Sequence, residues 1–231
     1  VEGFMPARFS HLILELMGTR PKADPAQSDY YHRLLDAVIE TESAADLIVA
    51  FTLLIKRMAV DRLHIVGDFF DRGARPDAIL DKLLDHPRVD VQWGNHDILW
   101  MGAACGSDAC IANVVRNSVR YQNTDVLEKG YAISLRPLTL FASHQYPEEA
   151  PIKAAERFIS ILMFKLEGQI IRRRPEFEMG GRALLRSIDY EKATIELSGK
   201  CYPLNQTYFP TIDPADPYAL SDDEAAILAD L

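Results

Sequence analysis

Hydrophobic residues recur at helical spacing through most of the chain. This spacing predicts helices at 6–18, 29–41, 44–59 and 76–86, from just beyond Asp97 to about 117, and at 152–173 and 221–230. The segment 44–59 is so apolar along its length that we expect most of it to be buried. A Ser-x-x-Glu capping box supports the start of the last helix. The stretch 131–141 is ambiguous in its secondary structure.

Two short apolar runs, "RLHIV" (62–66) and "VDVQW" (89–93), are rich in β-branched residues and predict strands. A predicted helix lies between them, so the unit should form two parallel strands joined by a right-handed crossover. Residues 189–204 predict a hairpin that turns at Ser198-Gly199. The expected fold class is therefore α/β, with a partial βαβ sheet flanked by helices and a hairpin.

The composition is that of a globular protein, since 48% of the 231 residues are hydrophobic and 26% are charged. A net charge of −9 argues against nucleic acid as a partner. The longest apolar run, 47–55, is far shorter than the roughly 18 residues that a membrane span needs. Three cysteines are too few and odd in number for a disulfide framework, so we expect a cytoplasmic protein.

Clusters of aspartate, arginine, asparagine and histidine directly follow both predicted strands. "GDFFDRG" (67–73) begins after the first strand and "GNHD" (94–97) after the second, so Asp68 and Asn95 each lie two residues past a strand. The carboxyl ends of neighbouring parallel strands lie at one sheet edge, where ligands gather in α/β proteins. We therefore expect these side chains to meet, although 27 positions separate them.

The residue types in these motifs suit metal and phosphate chemistry. Carboxylate and amide oxygens are ligands for hard divalent cations, so Asp68 can bridge two cations and Asn95 can ligate one without adding charge. His96 is free for proton transfer, and Asp97 is placed to accept its other ring N–H. Arg72 offers a planar donor fork for a phosphate. Each motif alone could be a capped turn, but the pair, each after a strand, favours a functional site.

These motifs resemble the GDxxDRG and GNHD/E signatures of the calcineurin-like metallophosphoesterases. Four longer runs resemble the class III fructose-1,6-bisphosphatases of bacteria: 62–116, 164–177, 188–204 and 209–228. The resemblance implies a calcineurin-like core and a binuclear, manganese-favouring hydrolase. Such an enzyme removes the 1-phosphate of fructose 1,6-bisphosphate, a gluconeogenic step.

The resemblance also implies roles for six residues. Asp68 would bridge both metals and Asn95 would ligate one of them, while Asp71 would support Arg72 or act as a ligand. In the same family pattern, His96 is the general acid for the leaving alkoxide and is paired with Asp97, and Arg72 steadies the phosphoryl group.

The chain departs from the family pattern at other ligand positions. None of its histidines lies in the Asp-x-His or Gly-His pairs that complete such a site. His64 falls within a predicted strand, where a core or edge histidine is expected, and His144 does not resemble the family's ligand positions. We therefore expect an internal part of a longer enzyme, inactive or nearly so by itself.

The expected organisation is a helical lead-in (1–60), a metallophosphoesterase core (61–145) and a helical and hairpin segment (146–231). The expected partner is a small sugar bisphosphate, with neither nucleic acid nor membrane involved. Whether the protein forms a homo-oligomer stays open. Two alternatives also stay open: another calcineurin-like protein or nucleotide phosphatase, and a non-catalytic scaffold.

Overall fold

The computed structural model describes residues 7–18, 25–86, 88–205 and 208–231. Its helices are α1 (Ser10–Met17), α2 (Pro25–Glu40), α3 (Ala44–Ala59), α4 (Pro76–Leu84), α5 (Asn95–Ala104), α6 (Asp108–Arg120), α7 (Arg136–Gln145), α8 (Pro151–Arg173) and α9 (Asp222–Asp230). Its strands are β1 (Leu63–Ile65), β2 (Val89–Val91), β3 (Ile188–Asp189), β4 (Thr194–Leu197) and β5 (Lys200–Pro203). The protein is thus mixed α/β. No helix in these ranges is long and apolar enough to cross a membrane.

The chain forms two compact units, which are described separately. The first contains the residues up to Ile65 together with Leu83–Val91, and the second contains Val66–Lys82 and Gln92–Leu231. This division does not test the three-part organisation expected from the sequence, which stays a prediction.

In the first unit, β1 and β2 form the parallel pair that the sequence predicts. Leu63 lies opposite Val89, and Ile65 lies opposite Val91. His64, in the middle of β1, is half-exposed, and its Nδ1 lies 3.0 Å from Asp90 Oδ2. The structure therefore accounts for this histidine as a paired residue on the strand surface.

The core of the first unit is small. Its buried members come from the start of the chain and from one face of α3: Phe9, Ile13, Leu47, Ala50 and Leu54. The expectation that 44–59 is mostly buried is wrong, because Ile48 is 66% exposed and Ile55 is 64% exposed. A helix turns its side chains through all directions every 3.6 residues, and only one face of α3 has described residues packed on it.

In the second unit, the long helix α8 forms the centre of the core. It packs against α6 and α7, and Phe158, Ile159 and Leu162 are completely buried. Its Lys165 side chain is also buried and forms an ion pair with Glu224 at 2.8 Å. Lys165 therefore ties α8 to the first turn of α9, where Ser221 and Glu224 form the predicted capping box.

One sequence-predicted element of the second unit needs a correction, and one ambiguous stretch is resolved. The long helix expected beyond Asp97 is divided into α5 and α6, because Gly106 adopts a left-handed φ of +80° after α5 ends. The ambiguous stretch 131–141 contains the start of α7, which has a proline in its first turn. The predicted hairpin is confirmed, with β4 and β5 pairing around Ser198-Gly199 and β3 added as a third strand.

Candidate active site

The two motif segments lie directly against each other. We call residues 67–73 the aspartate loop and residues 94–97 the GNHD segment. A Cβ atom added to Gly94 would lie 2.0 Å from Asp68 Oδ1, and one added to Gly67 would lie 2.3 Å from the Gly94 nitrogen. Gly67 also has a φ of +89°, which residues with side chains rarely adopt. Glycines at these two positions allow the close approach that the strand–helix–strand pattern predicts.

Asp97 connects the two segments through backbone amides. Its buried carboxylate accepts hydrogen bonds from the N–H of Asp68 at 2.6 Å and of Gly94 at 2.9 Å. A longer bond of 3.4 Å comes from the N–H of Phe70. Asp97 thus satisfies donors of the aspartate loop and the N-cap of α5 at the same time.

This geometry differs from the sequence expectation, in which Asp97 accepts the ring N–H of His96. Asp97 lies in the first turn of α5, and its carboxylate turns back to accept the backbone N–H of the N-cap residue Gly94. The backbone amides of Asp68 and Phe70 also donate to this carboxylate. Neighbouring positions of a helix do not face each other, so His96 is directed elsewhere.

The partner of His96 is Asp71. The ring Nε2 of His96 lies 3.2 Å from Asp71 Oδ1, which is an ion-pair distance when the imidazole is protonated. The backbone N–H of His96 donates to Asp68 Oδ1 at 3.2 Å. Asp71 also lies 3.5 Å from Arg72 Nε. The Asp71 carboxylate is therefore next to both the His96 imidazole and the Arg72 guanidinium.

Aromatic residues surround this group of polar side chains. The Arg72 Cζ atom lies over the ring of Tyr121, 4.4 Å from its centre. Phe70 stacks on Trp100 with ring centres 4.2 Å apart, and Tyr131 packs beside both rings. Sequence reasoning missed Tyr121, because it belongs to neither motif and no spacing marks it.

A pocket opens beside the polar group. Asp71, His96 and Tyr121 contribute to its wall, together with the apolar side chains of Trp100 and Val114. The pocket therefore lies between the His96–Asp71 pair and a partly apolar surface.

The segment after the aspartate loop is fixed by a second ion pair. Arg75 donates from Nη2 to the Asp77 carboxylate at 2.8 Å and from Nε at 3.0 Å. These hydrogen bonds lower the pKa of Asp77 and keep its carboxylate charged in the first turn of α4. A negative charge at that end of a helix is favourable for the helix dipole.

The donor types fit a divalent cation, but the described side chains supply only part of a site. Asp68, Asp71 and Asn95 offer oxygen atoms and His96 offers an imidazole, which are ligands that manganese accepts. Among the residues with described positions, no three or more His, Cys, Asp or Glu side chains come close enough together to hold a metal ion.

Oxygen donors, an imidazole paired with a carboxylate and a neighbouring guanidinium are groups that suit the hydrolysis of a phosphate ester. The chain belongs to the firmicute fructose-1,6-bisphosphatase family, whose sequence model matches residues 1–231. No solved structure matches the chain.

Curated relatives agree with this family. The chain is 44% identical over 97% of its length to "Fructose-1,6-bisphosphatase class 3 1" of Clostridium beijerinckii. Proteins named "Fructose-1,6-bisphosphatase class 3" are 46% identical over 98% of the chain in Clostridium acetobutylicum and 45% over 97% in Bacteroides fragilis. The chain spans 37% of the length of each of these relatives.

Proposed function

We propose that the protein hydrolyses the 1-phosphate of fructose 1,6-bisphosphate with two manganese ions, as a step of gluconeogenesis in the cytoplasm. The observation that carries the proposal is the contact between the aspartate loop and the GNHD segment, which brings Asp68, Asp71, Arg72 and His96 close to one another. Asp71 and His96 of this group line a pocket. Family membership supplies the substrate class. The proposal concerns the whole protein, since the chain spans only part of the length of its relatives.

The chain's own residues would bind the phosphoryl group and move one proton. Arg72 is exposed and can direct its planar N–H donors at phosphoryl oxygens. His96 would donate a proton to the oxygen of the leaving sugar, and Asp71 would pair with the charged form of the ring. Asp97 would act indirectly, by keeping the aspartate loop against the GNHD segment.

Asp68 and Asn95 would hold the metal ions, with Asp71 as a further oxygen donor. Bound ions of this kind lower the pKa of a coordinated water and neutralise charge that develops on the phosphate. The donor set among the described residues is partial, so the proposal requires additional ligands from other parts of the protein. The hydrogen bond from the His96 N–H to Asp68 Oδ1 supports this role for Asp68, because it joins the carboxylate to the GNHD segment.

The test is manganese-dependent release of inorganic phosphate from fructose 1,6-bisphosphate by the full-length protein that carries this chain. His96→Gln should lower kcat by about 100-fold or more, because general acid catalysis contributes about 10²–10⁴. Asp68→Asn should lower activity and raise the manganese concentration required. Asp108→Asn is the matched control for Asp68→Asn, since it removes a carboxylate charge from the first turn of α6, outside the aspartate loop and the GNHD segment.

A substrate panel separates the alternatives. Preference for a phosphoprotein or a nucleotide over the sugar bisphosphate would favour another phosphatase of the same superfamily. A scaffold would show no activity even after the chain is mixed with the remaining segments of the protein. Recovered activity that is lost again in Asp68→Asn would exclude the scaffold. Unchanged activity in both Asp68→Asn and His96→Gln would refute the proposed site.

A further inference from the structure

The aromatic ring of Tyr121 packs on the proposed phosphate ligand Arg72, and neither motif contains this tyrosine. It follows the last residue of α6 directly and is 45% exposed. Its ring lies under the Arg72 guanidinium, with 4.4 Å between Cζ and the ring centre. Tyr121 also lines the pocket that Asp71 and His96 share. The contact thus brings together two segments that are distant in the sequence, the aspartate loop and the end of α6.

The contact with Tyr121 controls where the Arg72 donors can point. A guanidinium is attracted to the face of an aromatic ring, and its N–H groups lie in its own plane. A guanidinium held by its face therefore keeps its planar donor edge available for an oxyanion. Asp71 is a competing neighbour, because its carboxylate at 3.5 Å would draw those donors away. The face of the ring offers attraction without an oxygen acceptor.

We propose that Tyr121 is a positioning residue that holds the Arg72 guanidinium at the edge of the pocket, ready for a phosphoryl group. The inference rests on the proposed role of Arg72 as a phosphate ligand. It adds a residue from the end of α6 to the site and gives the exposed Arg72 side chain a contact that favours one orientation. Without the ring, Arg72 would sample many rotamers or turn toward Asp71, and each of these arrangements has to be reversed before phosphate binds.

The expected effect follows from the strength of such a contact. A cation–π contact at an exposed site contributes about 0.5–1 kcal/mol, which corresponds to about a two- to fivefold change in affinity. Tyr121→Leu should weaken inorganic phosphate binding at Arg72 by this factor. Tyr121→Phe keeps the ring and loses only the hydroxyl, so it should bind phosphate like the native chain.

The experiment is NMR on the ¹⁵N-labelled chain, with the Nε–Hε signal of Arg72 assigned by its loss in Arg72→Gln. In the native chain and in Tyr121→Phe, the ring current should shift this signal upfield, and inorganic phosphate should move it on titration. In Tyr121→Leu the upfield shift should disappear and the phosphate dissociation constant should rise. Tyr202→Leu is the matched control, because Tyr202 is 47% exposed and lies in β5.

The outcomes separate this inference from the proposed function. An unshifted Arg72 signal in the native chain would overturn the inference whether or not any variant folds. Equal phosphate affinity in Tyr121→Leu and the native chain, or no response of Arg72 to phosphate, would also overturn it. A loss of affinity confined to Tyr121→Leu supports it, even if the full-length protein fails to hydrolyse fructose 1,6-bisphosphate. That failure would refute the proposed reaction and leave the positioning role intact.

Discussion

Asp97 offers the most direct perturbation of the site architecture. Its carboxylate is the shared acceptor for amides of the aspartate loop and of the GNHD segment. Asp97→Ala removes this acceptor and leaves the N–H groups of Asp68 and Gly94 without their partner. Asp97→Asn keeps the shape and one acceptor oxygen but removes the negative charge. The two variants therefore separate the loss of the bonds from the loss of their charge.

The size of the effect can be estimated from the distances. The bonds at 2.6 Å and 2.9 Å are short, whereas the bond at 3.4 Å is near the limit of a hydrogen bond. A hydrogen bond to a charged group contributes about 1.5–3 kcal/mol, so losing both short bonds should destabilise the loop contact by about 3 kcal/mol or more. Asp97→Asn should cost about half as much, because a neutral acceptor bonds less strongly.

Hydrogen exchange of the Asp68 and Gly94 amides measures this contact directly. A cost of about 3 kcal/mol predicts exchange about 100-fold faster in Asp97→Ala. Asp108→Ala is the control, because it removes a charge from the first turn of α6, outside the aspartate loop and the GNHD segment. If both amides exchange at the same rate in Asp97→Ala as in Asp108→Ala, Asp97 does not hold the loops together.

Three further changes test other contacts. Lys165→Met leaves buried Glu224 without its cationic partner and should lower the unfolding free energy in urea by about 3–5 kcal/mol. Adding Glu224→Leu should recover part of this loss, and a double variant less stable than the single one would contradict the reasoning. Gly94→Ala puts a Cβ 2.0 Å from a carboxylate oxygen of the aspartate loop and should lower the unfolding free energy in urea by about 1–3 kcal/mol. Gly73→Ala is the control and should be nearly neutral, because a Cβ there has no neighbour within 4 Å. Burial raises the pKa of Tyr190 from 10.0 to about 12. The contribution of the neutral Tyr190 side chain to stability should therefore be complete below pH 10 and be lost as the pH rises toward 12. A tyrosinate absorbance titration in which Tyr190→Phe removes a group that ionises near pH 10 would contradict this.

Local sequence signals predicted the elements that depend on local physics. The bounds of α3, the capping box of α9 and the Ser198-Gly199 turn follow from spacing and turn chemistry, which neighbouring residues decide. The exposure of Ile48 was not predictable in this way, because burial depends on what else packs against a helix. Gly106 ends α5 through a φ value that the helical spacing of the apolar residues does not reveal.

The candidate site was likewise predictable only where local sequence signals decide the structure. The meeting of the two motifs was predictable, because parallel strands with one helix between them bring their following loops together. The partner of His96 was not, because Asp71 and Asp97 are both near it in sequence or space and only side-chain direction separates them. Tyr121 reaches Arg72 from the end of α6, and that contact depends on how α6 packs in the second unit.

The central claim is that the aspartate loop and the GNHD segment form one place for a cation and a phosphate ester. The most direct measurement is a manganese titration of the ¹⁵N-labelled chain, in which the paramagnetic ion broadens amide signals near its binding site. The account predicts that signals of Asp68 and His96 broaden together at the lowest manganese concentrations, and that Asp68→Asn abolishes both effects. Broadening of only one of them, or broadening that starts at the acidic first turn of α9, would contradict it.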